Sequence, residues 1–202
     1  MIAIVDSGVS NVRSVANMLR KAGAAAEITA DPAVVAAADK VILPGIGAFD
    51  AGMRALRAGG LIDTLHATRA RGTPVLGVCL GMQLMAAGSE EGSEPGLGWF
   101  DAEVVRFRFE DGDRRKVPHM GWNELRVARP SPLLDGVDSG ARFYFVHSYY
   151  VRCRRPADVL ATAHYGVDFA ACVEQDNVYG VQFHPEKSHR FGLWLFSRFA
   201  AL

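Results

Sequence analysis

The stretch Val75-Leu76-Gly77-Val78-Cys79-Leu80-Gly81 places one cysteine between two glycines, where an apolar strand over residues 75–78 gives way to a predicted helix over residues 80–87. The spacing Gly-x-Cys-x-Gly is typical of a nucleophile elbow, a strand-to-helix turn so tight that side chains on the neighbouring positions would clash. Such a turn exposes the sulfur of Cys79 above the edge of the sheet, and the N–H groups that begin the helix favour a thiolate there. Taken alone, the pentapeptide is equally compatible with a buried cysteine between two packing glycines.

Strands and helices alternate on the amino-terminal side of this turn. We predict strands over residues 2–5, 25–29 and 40–43, and helices over residues 11–21, 32–38, 49–58 and 61–71. This alternation is typical of a parallel sheet with helices on both faces, in which sites form at the carboxyl ends of the strands. Asp6, the loop Pro44-Gly45-Ile46-Gly47 and Cys79 are therefore expected at one edge of the sheet.

The carboxyl-terminal half is dominated by strand patterns. Residues 89–98 are rich in Gly, Glu and Ser and predict a loop. Strands are predicted over residues 102–109, 114–118, 122–127, 142–151, 159–164, 169–174 and 178–182, with turns at 111–113 and 138–140. A final helix over residues 189–201 is expected to bury Leu193, Phe196 and Phe199. We expect a single α/β domain over residues 1–202, with a mixed, mostly parallel sheet and helices on both faces.

Composition argues against several classes of function. The 202 residues carry 22 Lys plus Arg and 22 Asp plus Glu, so a net charge of zero gives no electrostatic case for a nucleic acid or a membrane surface as partner. The three cysteines lack the paired spacings of a disulfide framework or a metal site. The start of the chain lacks the features of a signal peptide, and residues 75–88 are too short to span a bilayer. We expect a cytoplasmic protein without a metal or cofactor.

His184 is the strongest candidate base for Cys79. It ends an apolar strand and is followed by Pro185 and Glu186, a spacing that lets one turn aim the imidazole and the carboxylate at each other. His184 would take the proton of the Cys79 thiol, while Glu186 would fix the imidazole tautomer and stabilise its charged form. His119 and His147 are compatible with core histidines and with ligand contacts. Surface or capping positions suit the other three histidines, His66, His164 and His189.

Attack on a carbonyl also requires donors for the oxyanion. The N–H of Leu80, directly after the nucleophile, would supply one of them. The loop at the end of the third strand suits the second, because its glycines allow the backbone to turn an N–H of Ile46 or Gly47 toward the site. A plain glycine turn after a strand is the alternative for this loop.

Together these residues resemble the class I, triad-type glutamine amidotransferases, whose glutaminase domain carries Gly-x-Cys-x-Gly-x-Gln and a downstream His-Pro-Glu. Residues 77–83 and 184–186 match those motifs. Residues 44–49, 117–123, 144–150 and 183–188 further resemble the branch of the family that forms the glutaminase subunit of imidazole glycerol phosphate synthase in histidine biosynthesis. The family commonly has Tyr and Gly where this chain has Ser7 and Ser10.

The resemblance implies that the chain hydrolyses glutamine to glutamate and ammonia through a Cys79 thioester. It also implies a heterodimer in which the ammonia passes to a cyclase subunit. Glutamine would be held by Gly45, Gln83, Ser148 and Tyr149. The residues that would face the cyclase are Asn11, Pro118, His119, Met120, Trp122, Asn123 and Lys187.

Three alternatives stay open at this point. A glutaminase subunit for pyridoxal phosphate or anthranilate synthesis would share the triad but should lack the run over residues 118–123. A redox-sensing α/β module with a reactive cysteine would have no use for His184 and Glu186 at this spacing. A structural partner that only plugs a barrel would tolerate Cys79→Ala without loss of glutamine-dependent synthesis.

Overall fold

In the computed structural model, which describes residues 1–8, 10–110 and 112–202, strands and helices alternate through the amino-terminal half. The elements are, in order, β1 (Ile2–Val5), α1 (Val12–Lys21), β2 (Ala26–Thr29), α2 (Pro32–Ala37), β3 (Lys40–Gly45), α3 (Phe49–Ala58), α4 (Leu61–Ala70), β4 (Val75–Cys79) and α5 (Leu80–Leu84). They agree with the predicted elements, except that α5 ends before residue 87. It stops early because the carbonyls of Leu84 and Met85 accept hydrogen bonds from the backbone of residues 97 and 99.

Strands dominate the second half. The elements are β5 (Gly88–Ser89), β6 (Ala102–Arg106), β7 (His119–Glu124), β8 (Arg126–Val127), β9 (Arg142–His147), β10 (Tyr149–Cys153), β11 (Val159–Tyr165), β12 (Val167–Gln175), β13 (Val178–Val181) and α6 (His189–Ala201). Short 3₁₀ turns lie at Pro156–Asp158 and Pro185–Lys187. Part of the turn predicted at residues 111–113 falls on Asp111, which lies outside the described residues.

Several predictions for this half are wrong. The strand predicted over residues 122–127 is two strands, β7 and β8, which belong to different sheets, and the strand predicted over residues 102–109 ends at Arg106. Residues 114–118 form no strand, because the N–H of Arg115 donates to the side chain of Asp113 in a local turn that competes with a sheet ladder. The strand predicted over residues 142–151 is two strands, β9 and β10, which belong to different sheets and meet at Ser148. In α6 the buried leucine is Leu195, while Leu193 is only half-buried.

The largest sheet has eight strands in the order β2-β1-β3-β4-β13-β12-β11-β8. Its strands are parallel from β2 to β13 and antiparallel from β13 to β8. Two smaller sheets, β10-β6-β5 and β7-β9, lie beside it. The predicted mixed sheet is therefore confirmed.

Both faces of the large sheet are covered by helices, also as predicted. Because successive side chains of a strand point to opposite faces, Ile2 and Ile4 enter one core with residues of α1 and α6, while Ala3 and Val5 enter a second core with residues of α3 and α4. No helix among the described residues has both the length and the apolar character needed to cross a membrane.

The strand order brings the predicted site residues to one edge. The strands β3, β4 and β13 are adjacent, and Gly45 pairs with Cys79 in the ladder between the first two. Val181 pairs with Val78 in the ladder between the second two. The carboxyl ends of three neighbouring parallel strands therefore carry the glycine loop, the cysteine and the histidine turn.

Candidate active site

Cys79 lies on a strained turn between β4 and α5. Its backbone has φ 53° and ψ −108°, a conformation that residues with a side chain rarely adopt. The two flanking glycines are required by close contacts. A Cβ on Gly77 would lie 2.7 Å from the backbone nitrogen of Met82, and a Cβ on Gly81 would lie 1.7 Å from the carbonyl oxygen of Leu43. The structure thus forms the nucleophile elbow that the Gly-x-Cys-x-Gly spacing predicted.

His184 and Glu186 form a buried pair next to the cysteine. Nδ1 of His184 lies 2.7 Å from Oε1 of Glu186, and the two side chains are 2% and 3% exposed. Burial disfavours a charged imidazole, but hydrogen bonds and opposite charges from Cys79 and Glu186 outweigh it and raise the pKa of His184 well above its ordinary value of 6.5. Since Nδ1 faces Glu186, Nε2 is the ring nitrogen that can serve the sulfur.

A buried serine, which the sequence reasoning missed, holds the turn that carries this pair. The hydroxyl of Ser188 donates to the carbonyl of His184 at 2.6 Å and accepts from the N–H of Tyr144 at 3.0 Å. The N–H of His184 also donates to the carbonyl of Tyr144, at 2.8 Å. These bonds fix the His-Pro-Glu turn against β9. The sequence offered no signal for this role beyond the position of a serine just after the turn.

A cavity of about 480 Å³ opens over the cysteine. This volume is in the usual range for small-molecule sites. Predicted site residues that line it are Ile46, Gly47, Cys79, Leu80, Gln83, Ser148, Tyr149 and His184, together with Pro118 and Lys187 from the predicted partner face. Glu91 and Val146 line it as well, without having been predicted, and so does His147, for which the sequence left a core position and a ligand contact open. Gly45 instead lies against Leu80, where an added Cβ would be 2.9 Å from that residue's Cβ.

The loop predicted to complete the oxyanion site borders the cavity. Ile46 is 48% exposed, and Gly47 has φ 91°, which favours glycine at this position. The N–H of Phe49, just beyond the loop, donates to Oε2 of Glu91 at 2.8 Å. The loop is thus anchored at its end while its tip stays exposed, and the donation of an N–H from Ile46 or Gly47 to an oxyanion stays a prediction.

The strand β7 presents two large apolar side chains to the surface. Met120 is 62% and Trp122 46% exposed, so both side chains are accessible on the predicted partner face. Alternation along the strand turns His119 inward, where it is 4% exposed, and its place on the partner-facing surface stays a prediction. Asn123 is half-buried, and its amide donates to the carbonyl of His164 at 2.9 Å. The other predicted interface residues, Asn11, Pro118 and Lys187, are exposed.

His189 belongs to the same surface. Its ring stacks on the ring of Trp122, with centroids 5.5 Å apart and planes at 9°. The sequence suggested only a capping or surface role for this histidine. Stacking connects the exposed tryptophan to the first residue of α6, three residues after Glu186.

His119 and His147 form a buried hydrogen-bonded pair beneath this surface. Burial lowers the pKa of His119 to about 4, and burial, with the nearby His119 and His184 adding to it, lowers the pKa of His147 to about 3. Both rings are therefore neutral near pH 7. The carbonyl of Tyr149 can only accept, so Nδ1 of His147 donates to it at 2.8 Å, and Nδ1 of His119 donates to Nε2 of His147 at 3.0 Å. Nε2 of His119 then accepts from Asn123 at 3.4 Å.

Among the residues that the structure describes, no group of three or more His, Cys, Asp or Glu side chains is arranged to hold a metal ion. The polar side chains and backbone N–H groups of the cavity-lining residues named above surround the sulfur of Cys79. Their arrangement suits attack of a thiolate on an amide or ester carbonyl.

Comparison with known proteins identifies the class. The model of the family described as glutamine amidotransferase class-I matches residues 3–200. A solved structure described as a glutamine amidotransferase superposes with a TM-score of 0.73 at 22% identity, and the match covers 100% of this chain and 99% of that one. The chain belongs to the class I glutamine amidotransferases, and it is an enzyme of that family.

Full-length relatives define the branch of the family. The chain is 51% identical over 203 residues to imidazole glycerol phosphate synthase subunit HisH 2 of Pseudomonas aeruginosa, with 100% of both chains covered. It is 48% identical over 200 residues to the subunit of the same name from Methanococcus maripaludis, with 98% of both covered. Within its class, the chain belongs to the HisH subunits, as the motifs over residues 117–123 and 183–188 indicated.

Proposed function

We propose that this chain hydrolyses glutamine to glutamate and ammonia, with Cys79 as nucleophile, and delivers the ammonia to a cyclase subunit of imidazole glycerol phosphate synthase. The observation that supports the chemistry is the buried pair of His184 and Glu186 beside a cysteine on a strained elbow. Membership of the HisH branch supports the proposed delivery of ammonia to a cyclase subunit. The proposed setting is the cytoplasm, and residues 1–202 act as one domain.

In the proposed reaction, His184 takes the thiol proton of Cys79 and the thiolate attacks the side-chain amide carbon of glutamine. The N–H of Leu80 and an N–H from residues 46–47 stabilise the resulting oxyanion. His184 then gives its proton to the departing nitrogen, which leaves as ammonia, and a glutamyl thioester remains. In the second half, His184 activates water, the C–S bond breaks and glutamate is released. Glu186 holds the imidazole in the required orientation throughout.

The side chain of Gln83 is arranged to help bind glutamine. Its Nε2 donates to the carbonyl of Tyr149 and to Oε1 of Gln182, at 3.0 Å each. Both N–H groups of its amide are thus used within the protein. Its Oε1 is therefore the atom that can accept a hydrogen bond from the substrate.

The exposed side chains of Met120 and Trp122 provide the proposed cyclase surface. Pro118, two residues before Met120, and Lys187 both line the cavity over Cys79 and are exposed. The cavity rim and the proposed interface are thus continuous, which gives ammonia a short route to a docked partner. Exposed aromatic side chains are also favoured at the centres of interfaces.

The test is glutamate release by the purified chain mixed with a cyclase subunit, with and without the cyclase's substrate. Cys79→Ala and His184→Ala should abolish glutamine-dependent synthesis and leave ammonia-dependent synthesis by the complex intact. Cys153→Ala is the matched control, because this cysteine is half-buried and lies outside the cavity lining. Loss of ammonia-dependent synthesis in the Cys79 variant would contradict the proposed division of labour, and full glutamine-dependent activity would exclude Cys79 as nucleophile.

A further inference from the structure

Gln182 is a second polar side chain beside the sulfur of Cys79. It directly follows β13, is fully buried, and lies two residues before His184. Its Nε2 is 3.8 Å from Sγ of Cys79, within hydrogen-bonding range for sulfur. Its backbone N–H donates to the carbonyl of Ala171 at 2.9 Å, which fixes its main chain beside β12. The side chain therefore reaches the sulfur from a rigid position in the sheet.

The orientation of the Gln182 amide follows from its neighbours. The oxygen and nitrogen of an amide are similar in shape, so they must be assigned from the hydrogen bonds around them. The carbonyl of Tyr149 can only accept, so Gln83 must direct its nitrogen there, and the same nitrogen lies 3.0 Å from the Gln182 amide. The atom of Gln182 that faces Gln83 must then be its oxygen. Its nitrogen is left facing the sulfur as a donor.

We propose that Gln182 donates a hydrogen bond to Sγ of Cys79 and stabilises the thiolate, both in the free enzyme and when the sulfur leaves the glutamyl thioester. This inference rests on the proposed role of Cys79 as the nucleophile. Gln182 touches the reacting atom, and it contributes to the reaction in addition to holding Gln83.

The donor matters most at the points where sulfur carries negative charge. In the first half-reaction the sulfur's electron pair forms the C–S bond, so the charge on sulfur is consumed. In the second half, water adds to the thioester carbon, the C–S bond breaks, and the electron pair returns to sulfur. Hydrogen bonds to a charged acceptor are stronger than those to a neutral one. The N–H of Gln182 therefore lowers the barrier to thioester breakdown more than it assists glutamine binding.

Two substitutions separate this role from packing. Gln182→Met keeps the length of the side chain and removes the donor. Gln182→Glu keeps an oxygen toward Gln83 and places a second oxygen against the sulfur. Gln175→Met is the matched control, since Gln175 lies on β12 at the opposite end of the ladder with β13. Thermal unfolding identifies any variant that has lost its fold. If Gln182→Met does not fold, the test is made with Gln182→Glu, whose side chain has the same shape as glutamine.

The readout is the rate of alkylation of Cys79 by iodoacetamide as a function of pH, followed by mass spectrometry of the peptide that contains residue 79. We expect the midpoint of this profile to rise by about one pH unit in the Met variant and by more in the Glu variant. With the cyclase present, kcat for glutamine should fall about tenfold while KM changes little. The control should match the wild type in both measurements.

An unchanged midpoint in folded variants, or a change in KM alone, would overturn the role of Gln182 and leave it a support for Gln83. Failure of the proposed nucleophile gives a different result. In that case wild-type Cys79 would be alkylated no faster than Cys153 and would form no thioester with glutamine. Normal wild-type reactivity with no shift in the variants counts against Gln182 alone.

Discussion

Mild acid should destabilise this protein through His119 and His147. Both rings are buried and neutral: His119 stacks on Tyr165 with centroids 4.2 Å apart, and His147 lies near enough to His184 for that residue's charge to lower its pKa further. In the unfolded chain each would have an ordinary pKa of 6.5, whereas in the fold the pKa values are about 4 and about 3. Below pH 6.5 the unfolded chain therefore binds two protons that the folded protein does not.

The direction follows from proton linkage: stability rises with pH wherever the unfolded state binds more protons, so it falls on acidification from pH 6.5 toward 4. Each histidine lowers the free energy of unfolding by about 1.4 kcal/mol per pH unit below 6.5. The two together lower it by about 4 kcal/mol by about pH 5. Other shifted groups act outside the range from pH 6.5 to about 5 in which the assay reads the two histidines. The pKa of His184 is raised, so its contribution to stability is complete below pH 6.5 and is lost only as pH rises above that value. The pKa of Glu90 is lowered, so its contribution is lost only below pH 4.5.

The assay is urea unfolding at several pH values between about 7 and 5, with the m-value checked for constancy. The double variant His119→Gln, His147→Gln keeps side chains that can donate and accept but removes the titration, so its stability should change much less over this range. The variant's lower stability at pH 7 does not affect the test, because the quantity compared is the slope of the unfolding free energy against pH. Equal slopes in the wild type and the variant would refute the reasoning.

Three further predictions concern the elbow, the partner surface and the loop. Gly81→Ala should cost more than about 3 kcal/mol in urea unfolding, because its Cβ would lie 1.7 Å from the carbonyl oxygen of Leu43, whereas Gly88→Ala, in open space, should change little. Trp122→Ala should weaken cyclase binding by about 2 kcal/mol in a titration while stability changes less, with the exposed Val127→Ala as its control; equal loss of stability would count against an interface role. The isolated chain should release glutamate slowly until the cyclase is added, since the loop at residues 46–47 is exposed without a partner; full activity of the chain alone would contradict this.

The parts of the site that depend on local spacing could be predicted from the sequence. Two glycines around Cys79 and the His-Pro-Glu run each define a turn over a few residues, and the alternation of strands and helices places those turns at one sheet edge. The features that could not be predicted depend on distant residues. Periodicity alone could not show which face of β7 would be covered, so the sequence left the burial of His119 open. Gln182 reaches a cysteine 103 positions earlier in the chain, and no local pattern reports that contact.

The backbone conformation of Cys79 places the residue's proposed catalytic role in conflict with the stability of the fold. A side chain held at φ 53° and ψ −108° costs about 1–3 kcal/mol, and glycine would relieve this strain. Selection for stability alone would therefore favour glycine at position 79, and the proposed role of Cys79 as nucleophile accounts for the side chain that stands there. Directed evolution of this chain for heat resistance, without a requirement for glutamine hydrolysis, should accordingly lose the proposed nucleophile early.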